Sequence, residues 1–165
     1  MTISSEGTNA PVAVASVLLS VFVLAEVNYP FLTPQSQLAV FGGLGLVLIF
    51  LQMGAAVYLR RLAALAAGLA FGFIAVQNES LFSGLWLDSR SLGERAGQEA
   101  TADYLIGLAI LLLVLEATRR TIGNTLPILA LLFIAYAALG PYVPDWLFPH
   151  RGYGWDRIVS QTVLH

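Results

Sequence analysis

Three places in the sequence hold residues that could do chemistry. The first is Glu26, a lone carboxylate inside the apolar run VAVASVLLSVFVLAEVNYPFL, residues 12–32. An acid at membrane depth is costly unless it is protonated, paired or wet, so it is a candidate ion or proton site. No second carboxylate stands in the run to build a relay. The weightier expectation is therefore a carboxyl about one turn from the interface, satisfied by a neighbouring helix or by headgroup-level water. The second place is LEATRRTIGNTLP. Here Glu116 precedes Arg119 by three and Arg120 by four, so on a helix all three share a face, acid before base. The third is the pair of histidines, His150 and His165. Neither has the spacing of a metal-ligand cluster.

Other chemistries lack their residues. There is no cysteine, which removes disulfides, thiol nucleophiles and thiolate metal sites. No G-x-S-x-G elbow or phosphate-cradling loop is present. The glycines of FGGLGL sit in an apolar run instead of following a strand, which predicts helix packing and not nucleotide binding. The expectation is a protein that is not an enzyme and holds no cofactor or metal.

The elements that must position these residues follow from composition. Of 165 residues 58% are hydrophobic and 11% charged, with a mean hydropathy of +0.78. A soluble domain carries about a quarter charged residues, so lipid must solvate much of this chain. The net charge of −2, with no basic stripe, argues against nucleic acid. The predicted fold is an all-α integral membrane protein with about five transmembrane helices, at 12–32, 38–58, 62–82, 101–118 and 125–140. Residues 1–140 form the helical domain and 141–165 a short interfacial tail. The N-terminal segment MTISSEGTNAP has no basic residue, which favours an uncleaved first helix over a secretory signal. The last two runs are short for a full crossing. Snorkelling of Arg119 and Arg120 and a start near Ala100 would let them span.

Orientation follows from arginine. Arg60-Arg61 and Arg119-Arg120 mark two short loops on one side, which positive-inside bias places in the cytoplasm. The N-terminus is then cytoplasmic, and the C-terminus and the polar stretch 83–103 periplasmic. Arg90 and Arg95 break the bias, but Asp88, Glu94 and Glu99 surround them. Trp86, Trp146, Trp155, Tyr29, Tyr104 and Tyr142 all fall at the outer boundary as an aromatic belt.

Small residues at Ala64, Gly68 and Gly72 suggest a close helix-approach face. Gln52, Gln77 and Asn78 read as interhelical hydrogen-bond glue, and Glu79 as a wet group near the outer end. In the opening hairpin, Gly123 and Asn124 can take the left-handed conformation that ends a helix. Thr125 can cap the next helix, with Pro127 in its first turn.

The ordered run D-x-L-I-G … L-E-A-T-R-R-x-x-G … P … Y … G-P-Y-x-P … H-R-G, residues 103–158, resembles the N-terminal part of fused membrane permeases of tripartite ATP-independent periplasmic (TRAP) transporters, TAXI-type subclass. It covers about a third of the chain; residues 1–102 resemble the small-subunit region only in hydropathy and layout. The resemblance implies a non-catalytic scaffold subunit of a sodium-coupled secondary transporter in a bacterial or archaeal cytoplasmic membrane. It implies a large membrane subunit and a periplasmic substrate-binding protein as partners. Sodium and substrate sites are expected on that large subunit. Glu116, Arg119 and Arg120 would then be a structural and partner-contact cluster. Gly140, Pro141, Pro144, His150, Arg151 and Gly152 would shape the periplasmic surface, and Gly68 and Gly72 a packing face. The chain ends where the large domain of a fused form would begin, so a separate subunit or a fragment is expected. The alternatives are the small subunit of a tripartite tricarboxylate transporter, or a membrane-anchor subunit of an energy-converting complex with Glu26 in a proton relay.

Overall fold

The computed structural model describes residues 10–144, 148 and 150–164. Among these residues all regular structure is helical, with no strand. Four helices are long and apolar enough to cross a bilayer, the mark of a multi-pass membrane protein. The chain divides into two units, Met1–Glu79 and Ser80–His165.

The first unit holds α1 (Ala10–Asn28), α2 (Pro34–Gln52) and α3 (Val57–Asn78). The apolar count places the end of the first helix near residue 32, but α1 stops at Asn28. Pro30 has no N–H to donate and disfavours helical geometry at Tyr29. The second helix begins at Pro34 instead of near 38, because a proline in the first turn loses no hydrogen bond. It ends at Gln52, where Met53 is extended and the chain turns before Val57. Arg60 and Arg61 consequently lie in the first turn of α3 and not between helices. Arg60 Nη1 donates to the Leu51 carbonyl at 3.3 Å, placing a cation on the C-terminal end of α2.

Helices α2 and α3 form the tight pair. A Cβ on Gly43 would lie 2.8 Å from Phe71 Cβ, and one on Gly42 3.1 Å from the Phe71 ring. Gly42 and Gly43 of FGGLGL thus make room for the Phe71 side chain of α3. The buried line of α3 is Ala64, Ala67, Ala70, Ile74 and Gln77. Of the four-spaced small residues, Ala64 lies on this line, whereas Gly68 and Gly72 are exposed, Gly68 with Val47 of α2 3.6 Å from where its Cβ would be. Spacings of three and four keep a stripe in register, whereas a strict spacing of four drifts round the helix. Val14, Leu18, Leu24, Leu65 and Leu69 point outward, an apolar exterior suited to lipid tails.

The second unit opens with three 3-10 turns, Ser80–Leu85, Leu87–Ser89 and Gly93–Arg95. It continues with α4 (Thr101–Thr121), α5 (Thr125–Ala138) and α6 (Trp155–Val159), which runs on into a π-helical turn, Ser160–Leu164. With 21 residues α4 is about 31 Å long; with 14 residues α5 is about 21 Å. Gly123 has φ +103°, as the helix-ending glycine requires. Asn124 is the residue before α5, at right-handed φ −76°, so Thr125 is its first helical residue and not its cap. The described part of the tail also packs within the unit. Ile158, Val159 and Leu164 are buried, and a Cβ on Gly107 would lie 2.6 Å from Val159 Cγ1. α6 thus packs on α4 at the one position of DYLIG that lacks a side chain. Trp146 and His165 lie outside the described residues.

Candidate functional site

Two polar clusters and one charged edge hold the residues that could carry function. In the first unit, the loop between α1 and α2 is bound by two carboxylates. The Leu32 N–H donates to Glu26 Oε1 at 3.2 Å, and the next N–H, that of Thr33, donates to Glu79 Oε1 at 2.6 Å. The Thr33 hydroxyl reaches the same Glu79 oxygen at 2.8 Å and lies 3.0 Å from Ser36 Oγ. Ser36 Oγ donates to the Ala75 carbonyl at 3.2 Å, which fixes the start of α2 to the end of α3. Glu79 is buried, with 8% exposure, so the expectation of a wet group is overturned: it staples the loop. Burial pushes its carboxyl up, but the hydrogen bonds from the Thr33 backbone and hydroxyl outweigh this and hold it below the usual glutamate range. Glu26 is 2% exposed, and its Oε2 has no hydrogen-bond partner among the described residues. Asn78 donates to its own helix at Ile74 and Gln52 is exposed, so neither is interhelical glue through a bond seen here.

In the second unit, the polar stretch is organised by Arg95. Its guanidinium has no solvent exposure, and neither has Asp103. Nη2 meets Asp103 Oδ1 at 2.9 Å and Nε meets Oδ2 at 3.2 Å, a bidentate pair. Nη1 donates to the Leu87 and Arg90 carbonyls at 2.9 and 2.6 Å. Asp103 also accepts the Ala100 N–H at 2.8 Å, in the first turn of α4. Beside this clasp, Tyr104 donates to Glu99 Oε2 at 2.8 Å, and Ser160 donates to Glu99 Oε1. Burial raises the Glu99 carboxyl, but bonds from Ser160, the backbone and Tyr104 dominate and bring it to about 2. These groups, with Asp156, Arg157 and Gln161, line a polar cleft of about 380 Å³.

The Arg95–Asp103 pair escaped sequence reading, which surrounded Arg95 with nearer acids. The signal was an acid three residues into the helix that starts near Ala100, a capping position that a buried cation can share.

At the other end of α4, Glu116 bonds Arg119 bidentately at 2.7 and 2.9 Å and also accepts from Arg120 Nε. All three are partly exposed, Arg119 at 50%. The cluster is a local helix-end ion triad. Past α5, the segment around Gly140, Pro141, His150, Arg151 and Gly152 folds back on the helix end. His150 N–H donates to the Gly140 carbonyl at 3.3 Å, Gly152 N–H to His150 Nδ1 at 3.0 Å, and Tyr153 N–H to the Ala137 carbonyl at 2.9 Å. Gly152 has φ +72°, and a Cβ on Gly140 would lie 2.5 Å from Gly152 N. The Tyr136 ring meets His150 edge-on at 4.7 Å. His150 is thus a structural residue of this knot, while Arg151, Pro141 and Pro144 are exposed.

No protein-family model, curated protein or solved structure matches the chain. Among the described residues, no group of three His, Asp or Glu side chains converges as a metal site.

Proposed function

We propose that the chain is the non-catalytic small subunit of a TRAP-type secondary transporter, importing small organic solutes across a bacterial or archaeal cytoplasmic membrane. In this reading all five apolar helices cross, with the N-terminus inside and the C-terminus in the periplasm. The large membrane subunit carries the solute and sodium sites, and a periplasmic binding protein delivers the solute. The observation that carries the reading is the ordered wording of residues 103–158. Its residues serve packing: Asp103 clasps a buried arginine, Gly107 admits α6, and Gly140, His150 and Gly152 close the knot. A body packed in this way, with apolar flanks, suits a stationary brace against which a partner's transport domain moves.

The test is co-purification in mild detergent. A stable complex with a much larger multi-helix partner is expected, with solute uptake lost on deletion of this chain. Solute binding by the isolated chain would refute the scaffold role.

A second reading is favoured by one observation, the buried and unpartnered Glu26 Oε2. It makes the chain an anchor subunit of an energy-converting complex with Glu26 in a proton path. Glu26→Gln separates the two: a relay loses proton coupling, whereas a scaffold retains transport.

A further inference from the structure

Glu26 and Glu79 are bound to successive amides of one short loop, and both are removed from water. Among the described residues of their unit, no cation is paired with them. Helix α2 carries no charged residue, and Glu26 is the only one in α1. The unit's described arginines, Arg60 and Arg61, belong to the first turn of α3, about 27 Å along the helix from Glu79. Of the other titratable groups, Tyr58 is beside those arginines and Tyr29, on the loop, is 80% exposed. Two buried carboxylates met only by neutral donors form a place where an uncompensated charge would be penalised heavily. The hydrogen bonds are unequally shared. Glu79 receives the Thr33 N–H and hydroxyl, which favour its ionised form. Glu26 receives one amide and leaves Oε2 without a donor. The oxygen left open to a compensating cation is therefore Glu26 Oε2.

We propose that the Glu26 carboxyl, backed by Glu79 and the hydroxyls of Thr33 and Ser36, is a binding site for one monovalent cation, a proton or Na+. Bound there, the cation neutralises the loop that joins α1 to the α2–α3 pair. It thereby couples the packing of α1 to the ionic conditions at that end of the unit. The site depends on no assumption about transport and stands or falls apart from the scaffold reading.

The experiment uses the full chain in lipid nanodiscs. Thermal unfolding is followed against NaCl, with choline chloride holding ionic strength constant, from pH 5 to pH 9. Wild type is compared with Glu26→Gln, which keeps shape and removes the charge. If Na+ is the ligand, the apparent unfolding constant falls about tenfold for each tenfold rise in Na+ above saturation. If it is a proton, the unfolding constant is indifferent to Na+ and rises with pH, by up to about tenfold per unit. Either dependence must disappear in Glu26→Gln. Infrared difference spectra of wild type give a second readout that needs no variant: a protonated carboxylic acid band for the proton, a Na+-induced carboxylate shift for the metal. Unfolding that ignores both ions, or a dependence that survives in Glu26→Gln, overturns the proposal.

Discussion

Arg95 and Asp103, eight residues apart, form a bidentate ion pair with no solvent exposure on either side chain. This pair, and not the surrounding acids, gives the polar stretch its form. The guanidinium also takes the carbonyls of Leu87 and Arg90, so two 3-10 turns and the start of α4 are gathered on one cation. Removing one partner leaves a buried charge alone, which costs about 3–5 kcal/mol. Asp103→Asn is therefore expected to unfold the second unit at markedly lower denaturant. Arg95→Met combined with Asp103→Leu should recover part of the loss, but not all, because two carbonyls lose their donor. Equilibrium unfolding in detergent of wild type, single and double variants measures the difference. Equal losses in the single and double variants would show that the pair is not the organising contact.

The approach of α6 to α4 rests on Gly107. An added Cβ would lie 2.6 Å from Val159 Cγ1 and 3.3 Å from Leu164, inside van der Waals contact. Valine is branched at Cβ and cannot swing away cheaply. Gly107→Ala should therefore destabilise by about 1–3 kcal/mol through overpacking. Val159→Ala in the same chain should restore much of it. Thermal unfolding of the two single variants and the double one gives the coupling energy; additive losses would place the strain elsewhere.

Much of the helical layout was legible because apolar run length is a direct consequence of bilayer thickness. What run length cannot see is where a helix stops inside an apolar stretch. Pro30 ended α1 before the hydrophobicity did, and the turn after Gln52 moved Arg60 and Arg61 into α3. The helix-end signals of the opening hairpin were legible at Gly123, whose positive φ is a local requirement. The partners of Glu26, Glu79 and Arg95 were not. Thr33 and Glu79 are 46 positions apart, and no local pattern encodes such a meeting. The glycine wording of 140–152 is distinctive in the sequence, but its cause is a backbone-on-backbone approach visible only in three dimensions.

Glu99 makes the second unit sensitive to acid. Its carboxyl titrates near 2 because hydrogen bonds from Ser160, the backbone and Tyr104 outweigh the opposing effect of burial. A depressed value in the folded state means stability that is complete above the unfolded glutamate range, near 4.3, and lost as pH falls toward 2. Wild type should thus lose stability steeply over that window. Ser160→Ala, which removes a donor, should be less stable at neutral pH and show a shallower acid slope. Unfolding midpoints from pH 6 to pH 2.5 provide the comparison. Parallel slopes would mean that Ser160 does not hold the carboxylate.

The knot after α5 should be intolerant at Gly140. A Cβ there would strike the His150 ring and lie 2.5 Å from the Gly152 backbone nitrogen. Since the backbone cannot rotate aside, Gly140→Ala should open the segment even when paired with His150→Ala. Limited proteolysis is the readout, with faster cleavage expected between residues 140 and 155 in both variants. Full protection of the double variant would assign the constraint to the imidazole alone.

The Glu116–Arg119–Arg120 triad separates folding from assembly. Its members are a third to a half exposed, and such i,i+3 and i,i+4 pairs contribute only about 0.2–0.5 kcal/mol each. Arg119→Ala and Glu116→Gln should therefore leave the unfolding midpoint of the isolated chain almost unchanged. If the cluster contacts a larger membrane subunit at the cytoplasmic surface, the same variants should co-purify with much less of that partner. Desolvation at such an interface would turn a weak surface pair into a costly loss. Undiminished co-purification would leave the triad only its local task, closing the C-terminal end of α4 with positive charge at the membrane edge.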